Sequence, residues 1–137
     1  MNKKTFYILS FTWGLPLTLV GLIVAAVLRC VGCKPTKWGG CYYFEVGKDW
    51  GGVNLGVVFV TSKNPSTHTR NHEHGHAIQN CYLGVFMPFV VCIPSAVRYW
   101  YRRVKTKLGR KNKTCYYSIW FERTASDLGN KYVPMWN

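Results

Sequence analysis

The chain opens on a long apolar run. From Phe6 to Leu28 no side chain is charged; Lys3 and Lys4 precede the run and Arg29 closes it. A helix over these residues measures roughly 34 Å at 1.5 Å per residue, enough to cross a bilayer core with some tilt. The pattern predicts an N-terminal transmembrane anchor over residues 1–29. A secretory signal peptide is the competing reading, but its apolar region is usually about 7–15 residues. Arg29 before Cys30 also does not suit a lipoprotein-type cleavage site. Gly14, Pro16 and Gly21 within the run are tolerated in membrane helices, where small residues let a neighbour approach.

The pattern then changes period. Residues 30–40, with Gly32, Pro35, Gly39 and Gly40, read as a linker. Cys41 to Val46 is aromatic and β-rich, residues 47–52 are turn chemistry, and Val53 to Thr61 is again β-branched, which predicts a β-hairpin over 41–61. Ser62 to Thr69 is polar and ends in hydroxyl residues suited to capping, so a helix is expected over 69–82. Leu83 to Val97 is apolar but interrupted by Gly84, Pro88 and Pro94, and falls short of the usual span of about 20 residues. It reads as a thin span, a re-entrant segment or a kinked buried helix. A basic loop over 104–114 leads to a final helix over 114–129, with Gly129-Asn130 as its stop. The fold class is therefore an α+β membrane protein, with residues 30–137 forming one domain after the anchor.

Charge sharpens this picture. The net charge is +13, from 18 basic residues against 5 acidic ones. Such a balance calls for an anionic partner, nucleic acid or membrane. The apolar segments favour a lipid bilayer with anionic headgroups, and no nucleic-acid-binding module is recognisable. Arg98, Trp100, Arg102 and Arg103 alternate cations with rings, as suits a membrane interface. All basic residues but Lys3 and Lys4 lie within residues 29–137, which places that region on the cytoplasmic side if it does not cross. A two-span arrangement with both termini inside fits the charges equally well. It strains any site shared by the motif helix and the last helix, which would leave the bilayer on opposite faces. The six cysteines permit disulfides without requiring them, and Cys30-x-x-Cys33 reads as an ordinary pair near a membrane boundary.

One motif names a chemistry. His72-Glu73-His74-Gly75-His76 is H-E-x-x-H. On a helix, His72 and His76 share a face and can reach one metal ion, and Glu73 beside them is placed to act as general base. A catalytic zinc takes three protein ligands. The remaining carboxylates are Glu45, Asp49, Glu122 and Asp127. Glu122, between Trp120 and Phe121 on one side and Arg123 on the other, is either the third ligand or the partner of Arg123 or the basic loop; ligation is the favoured reading, since an unpaired glutamate in apolar surroundings is costly. A metal that only staples the fold is the alternative. His68 and His74 are spare imidazoles, with His74 about 100° from its neighbours on the helix, able to touch substrate or a supporting carboxylate. Val53, Leu55 and Val57 form a candidate strand for holding a peptide backbone.

His72-Glu73-His74-Gly75-His76 followed by Glu122-Arg123-Thr124-Ala125 resembles the H-E-x-G-H … E-x-x-A-D pattern of the membrane gluzincins, the CAAX prenyl endopeptidase and heat-shock membrane protease family. The stretch from Gly75 through Pro94-Ser95 and Tyr116-Tyr117 to Leu128-Gly129 also looks like a group of small uncharacterised bacterial membrane proteins. The first resemblance rests on two short motifs and the second covers about the C-terminal half. The first implies Zn2+ on His72, His76 and Glu122, catalysis by Glu73, and an aspartate directly after the alanine that supports a zinc histidine. Here Ser126 stands at that place and Asp127 one later, about 100° round the helix. The expected function is an integral-membrane zinc metallopeptidase of a bacterial inner membrane, acting on a peptide or protein near the cytoplasmic face. The alternative is a non-catalytic membrane protein with a structural metal, acting through partners.

Overall fold

A computed structural model describes residues 1–136. The described residues form a mixed α+β fold of five α-helices and one four-stranded sheet. The apolar run at the N-terminus is not one helix. It is split into α1 (Lys3–Ser10) and α2 (Leu15–Cys30), bent by 90° at the break. Local chemistry starts the bend: Thr12 Oγ1 donates to Ile8 O at 2.7 Å, Gly14 forms the N-cap and Pro16 stands in the first turn of α2. Tertiary contacts hold it, since Asn80 Nδ2 donates to the Gly14 carbonyl at 3.0 Å and Trp13 Nε1 reaches the Tyr82 carbonyl at 3.4 Å. Among the described residues no single helix is long and apolar enough to cross a membrane.

The expected hairpin is replaced by a different sheet. Residues 36–38, read as linker, form β1 (Thr36–Trp38), which pairs antiparallel with β2 (Cys41–Glu45). The predicted strand over 53–61 is two strands, β3 (Gly52–Leu55) and β4 (Val58–Thr61), folded back on each other. Gly56 allows this with φ of 76°, and the Asn54 side chain closes the turn by accepting from Gly56 N–H at 2.9 Å. The sheet order is β1-β2-β4-β3, with β2 and β4 parallel. All four residues of β4 are buried, so it takes the centre, whereas β3 alternates and lies at the edge.

The motif helix, α3 (Thr67–Leu83), begins two residues earlier than expected because Ser66 Oγ accepts from Thr69 N–H at 3.0 Å. It is buried on every side from His72 to Cys81 and forms the centre of the molecule. Phe6, Phe44, Phe59 and Ile78 pack in the main core between α3 and the sheet, and Leu17, Met87, Val91 and Phe121 form a second cluster. The apolar segment after α3 is a 3₁₀ turn (Gly84–Phe86) and a π-turn (Pro88–Cys92) leading into α4 (Ile93–Lys107), with a bend of 115° from α3. The basic loop is thus shorter than expected. The final helix, α5 (Trp120–Trp136), follows a 3₁₀ turn at Tyr116–Ser118 and runs through Gly129-Asn130, which does not stop it. All six cysteines are free thiols.

Candidate metal centre

Three side chains from two helices meet at one point. His72 and His76, four apart on α3, turn their Nε2 atoms to each other at 3.1 Å. Glu122, in the first turn of α5, brings Oε2 to 3.0 Å from His72 Nε2 and 3.5 Å from His76 Nε2. One ligand atom from each residue lies within 4.8 Å of the other two, and all three residues are buried.

The hydrogen bonds around this trio fix where its protons are. Gln79 Nε2 donates to the Phe121 carbonyl at 2.8 Å, so Gln79 Oε1, 2.8 Å from His76 Nδ1, accepts a proton from it. Ser126 Oγ donates to the Glu122 carbonyl at 3.2 Å and lies 2.9 Å from His72 Nδ1, which donates to it. Both neutral imidazoles therefore carry hydrogen on Nδ1 and direct a bare Nε2 lone pair inward. They face Glu122 Oε2, a buried oxygen with no hydrogen-bond partner. Three acceptors converging without a donor repel one another unless a cation lies among them. This donor set, two imidazoles and a carboxylate each oriented by an outer partner, could hold a metal ion.

Glu122 is anchored further by Ser95 of α4, whose Oγ donates to Oε1 at 2.5 Å while lying 2.9 Å from Tyr116 Oη. Burial works to raise the Glu122 carboxyl, and the bond from the Ser95 hydroxyl works to lower it. Ser95→Ala should leave the fold intact and weaken metal binding about 10–100-fold, measured by competition with a chromophoric chelator. Ser95→Thr should restore it, because a hydroxyl remains.

Glu73 lies beside the trio with its own surroundings. Burial pushes its carboxyl up to about 7, against the pull of His76 and with a further push from Glu122. Strand β3 passes directly over it. A Cβ on Gly52 would come within 2.6 Å of Glu73 Oε1, so this strand position takes only a glycine while Glu73 keeps its pose.

The trio and Glu73 line a cleft of about 880 Å³. Edge strand β3 forms one wall, with Val53 and Leu55 lining it; Val57 is not part of that wall, being buried between β3 and β4 with its carbonyl bonded to Tyr42 N–H. His74 does not serve the site. It is buried on the opposite side, accepts from Gly40 N–H at 3.1 Å and packs against Phe6 and Trp136, where burial keeps it neutral with its pKa lowered to about 4. Asp127 is exposed, a third of a turn away from His72's partner, and Ser126 does the supporting instead. Glu45 accepts from Asn64 N–H at 3.0 Å, remote in role from the site.

Of the expected interface residues, Trp100 is 62 % exposed. Arg98 and Arg102 tie α4 to the loop before α5, donating to the carbonyls of Cys115 at 3.0 Å and Thr114 at 2.7 Å, and Arg103 donates to Tyr99 Oη. Sequence reasoning assigned no role to Gln79, Ser95 or Ser126. Gln79 and Ser126 had a local signal, standing three and four residues from His76 and Glu122 on the same helical faces. Ser95 had none, because only the fold brings α4 to Glu122. No family model matches the chain, and no curated protein or solved structure matches it.

Proposed function

We propose that the chain is a membrane-bound zinc metallopeptidase of the gluzincin type, with His72, His76 and Glu122 as ligands. A zinc ion there would supply Lewis-acid polarisation of water and of a peptide carbonyl. Glu73 takes the proton from the attacking water and passes it to the departing amine, so that the C–N bond breaks and a carboxylate and an amine are released. Strand β3, at the edge of the sheet, holds the substrate backbone by strand addition beside Glu73. The observation that carries the reading is the convergence of two bare imidazole nitrogens and an unsatisfied carboxylate oxygen at the wall of a large cleft. A purely structural ion needs no cleft beside it.

The membrane part of the proposal rests on exposed apolar surface. Leu19, Ile23 and Val27 of α2 face outward, and so do Phe89, Ile93, Val97, Trp100, Val104 and Leu108, spaced three or four apart along one side of the π-turn and α4. A bilayer covers such surface, with the α1–α2 pair and residues 83–97 inserted and the remaining chain at the cytoplasmic face. Purified protein should carry about one zinc per chain, and His76→Ala should carry none, both measured by elemental analysis. Wild-type protein that neither retains nor takes up zinc would end the metallopeptidase reading.

A further inference from the structure

Helix α4 is built inside out. Its apolar side chains point to the surroundings, whereas Ser95, Tyr99, Arg102, Arg103, Thr106 and Lys107 line the cleft. Positions 95, 99, 102, 103 and 106 recur at helical spacing, so a single face of α4 runs from the metal trio, at Ser95, to a cluster of three cations. The cations stand roughly 10–18 Å along the helix from Ser95 at 1.5 Å per residue. An extended peptide covers that distance in about three to five residues.

Arg102 and Arg103 are tethered, and neither they nor Lys107 is neutralised. Among the described residues no lysine or arginine stands in an ion pair; the ion pairs are those of the two histidines with Glu122. The Arg102 guanidinium lies 5.9 Å from the Tyr116 ring and the Arg103 guanidinium 5.7 Å from the Tyr99 ring. Asn112 Nδ2 donates to Thr106 Oγ1 at 3.1 Å and fastens the neighbouring loop to the same stretch of helix. Each guanidinium has five N–H donors and uses one of them within the chain, leaving others for a carboxylate. Asp49, which lines the cleft with Glu73 and Glu122, belongs to the β2–β3 loop on the strand side.

We propose that Arg102, Arg103 and Lys107 form an anion-binding subsite that selects peptides bearing acidic side chains about three to five residues from the scissile bond. This inference rests on the peptidase reading of the cleft. It predicts an acidic-peptide preference in a protein that is itself strongly basic, and it assigns the cations to substrate rather than to lipid headgroups.

The test is binding without turnover. Full-length zinc-loaded Glu73→Gln protein in neutral detergent is titrated with a fluorescein-labelled decapeptide carrying two adjacent glutamates, and with the same peptide carrying glutamines. The glutamate peptide should bind about ten times more tightly. The ratio should fall to about one in Arg102→Gln/Arg103→Gln/Lys107→Gln, and part of the way in Lys107→Gln, whose side chain makes no hydrogen bond that the fold requires. A ratio near one in the parent, or a ratio unaffected by these substitutions, overturns the subsite. So does a triple variant that keeps the peptide ratio but no longer binds vesicles of phosphatidylcholine with one-third phosphatidylglycerol, which returns the cations to the lipid. Because no cleavage is involved, a protein that shows the ratio but never hydrolyses a peptide refutes the peptidase reading and leaves the subsite standing.

Discussion

Replacing Glu73 by glutamine should leave zinc bound and reduce peptide cleavage by about 10²–10⁴-fold, the usual contribution of a general acid–base residue. The substitution keeps shape and removes the ability to take and release a proton. Glu73 makes no contact that orients the ligand atoms: His72, His76 and Glu122 are held by Ser126, Gln79 and Ser95. Zinc content should therefore match the parent protein. The loss should fall on kcat, because the proposed grip on substrate, strand β3 and the α4 face, is left unchanged. Elemental analysis alongside cleavage of a fluorogenic peptide separates the outcomes. Parent protein that binds zinc but has no activity for Glu73→Gln to remove would point to an ion that only joins α3 to α5.

The second large effect concerns Gly75, the small residue inside the motif. Helices α3 and α5 cross with backbone against backbone: a Cβ on Gly75 would overlap the Ala125 carbonyl, and one on Gly129 would overlap the Asn71 carbonyl. Neither glycine is needed for a left-handed φ; each is needed for the close approach. Gly75→Ala has no rotamer through which to escape, because the obstacle is main chain. Overpacking usually costs about 1–3 kcal/mol and more where relief is blocked, so this change belongs at or above the top of that range. The helices must separate, and Glu122 is then carried away from His72 and His76. The expected result is loss of bound zinc together with a thermal midpoint lowered by several degrees, read from zinc content and from a melting curve in detergent. Gly129→Ala should act likewise from the other helix. If both variants kept full zinc and an unchanged midpoint, the α3–α5 crossing would not be what assembles the trio.

Much of the centre was legible in residues close together along the chain. The pair His72 and His76 follows from helical period alone, and so does the neighbouring Glu73. The polar, hydroxyl-rich stretch before α3 announced its cap, which proved to be Ser66. Longer-range features were read less well. The apolar run over 6–28 looked like one continuous helix because hydropathy is blind to the break that Asn80 and Tyr82 stabilise from α3. The run over 53–61 looked like one strand because its composition is uniform, although Gly56 and Asn54 reverse it. The displaced aspartate after Ala125 suggested a missing support for a zinc histidine, yet the hydroxyl of Ser126 stands at that place and accepts from His72 Nδ1.

By itself the sequence determined the local half of this protein: two histidines on one helical face, a glutamate beside them, and apolar segments rich enough to need cover. Such features depend on neighbours within about one helical turn, where period and propensity govern. The tertiary structure alone decided that Glu122 is the residue facing both Nε2 atoms, that Ser95, Gln79 and Ser126 orient the trio, and that β4 rather than β3 lies at the centre of the sheet. Those outcomes depend on which backbones can touch, and here that is set by glycines whose missing side chains let α3 and α5 close upon each other.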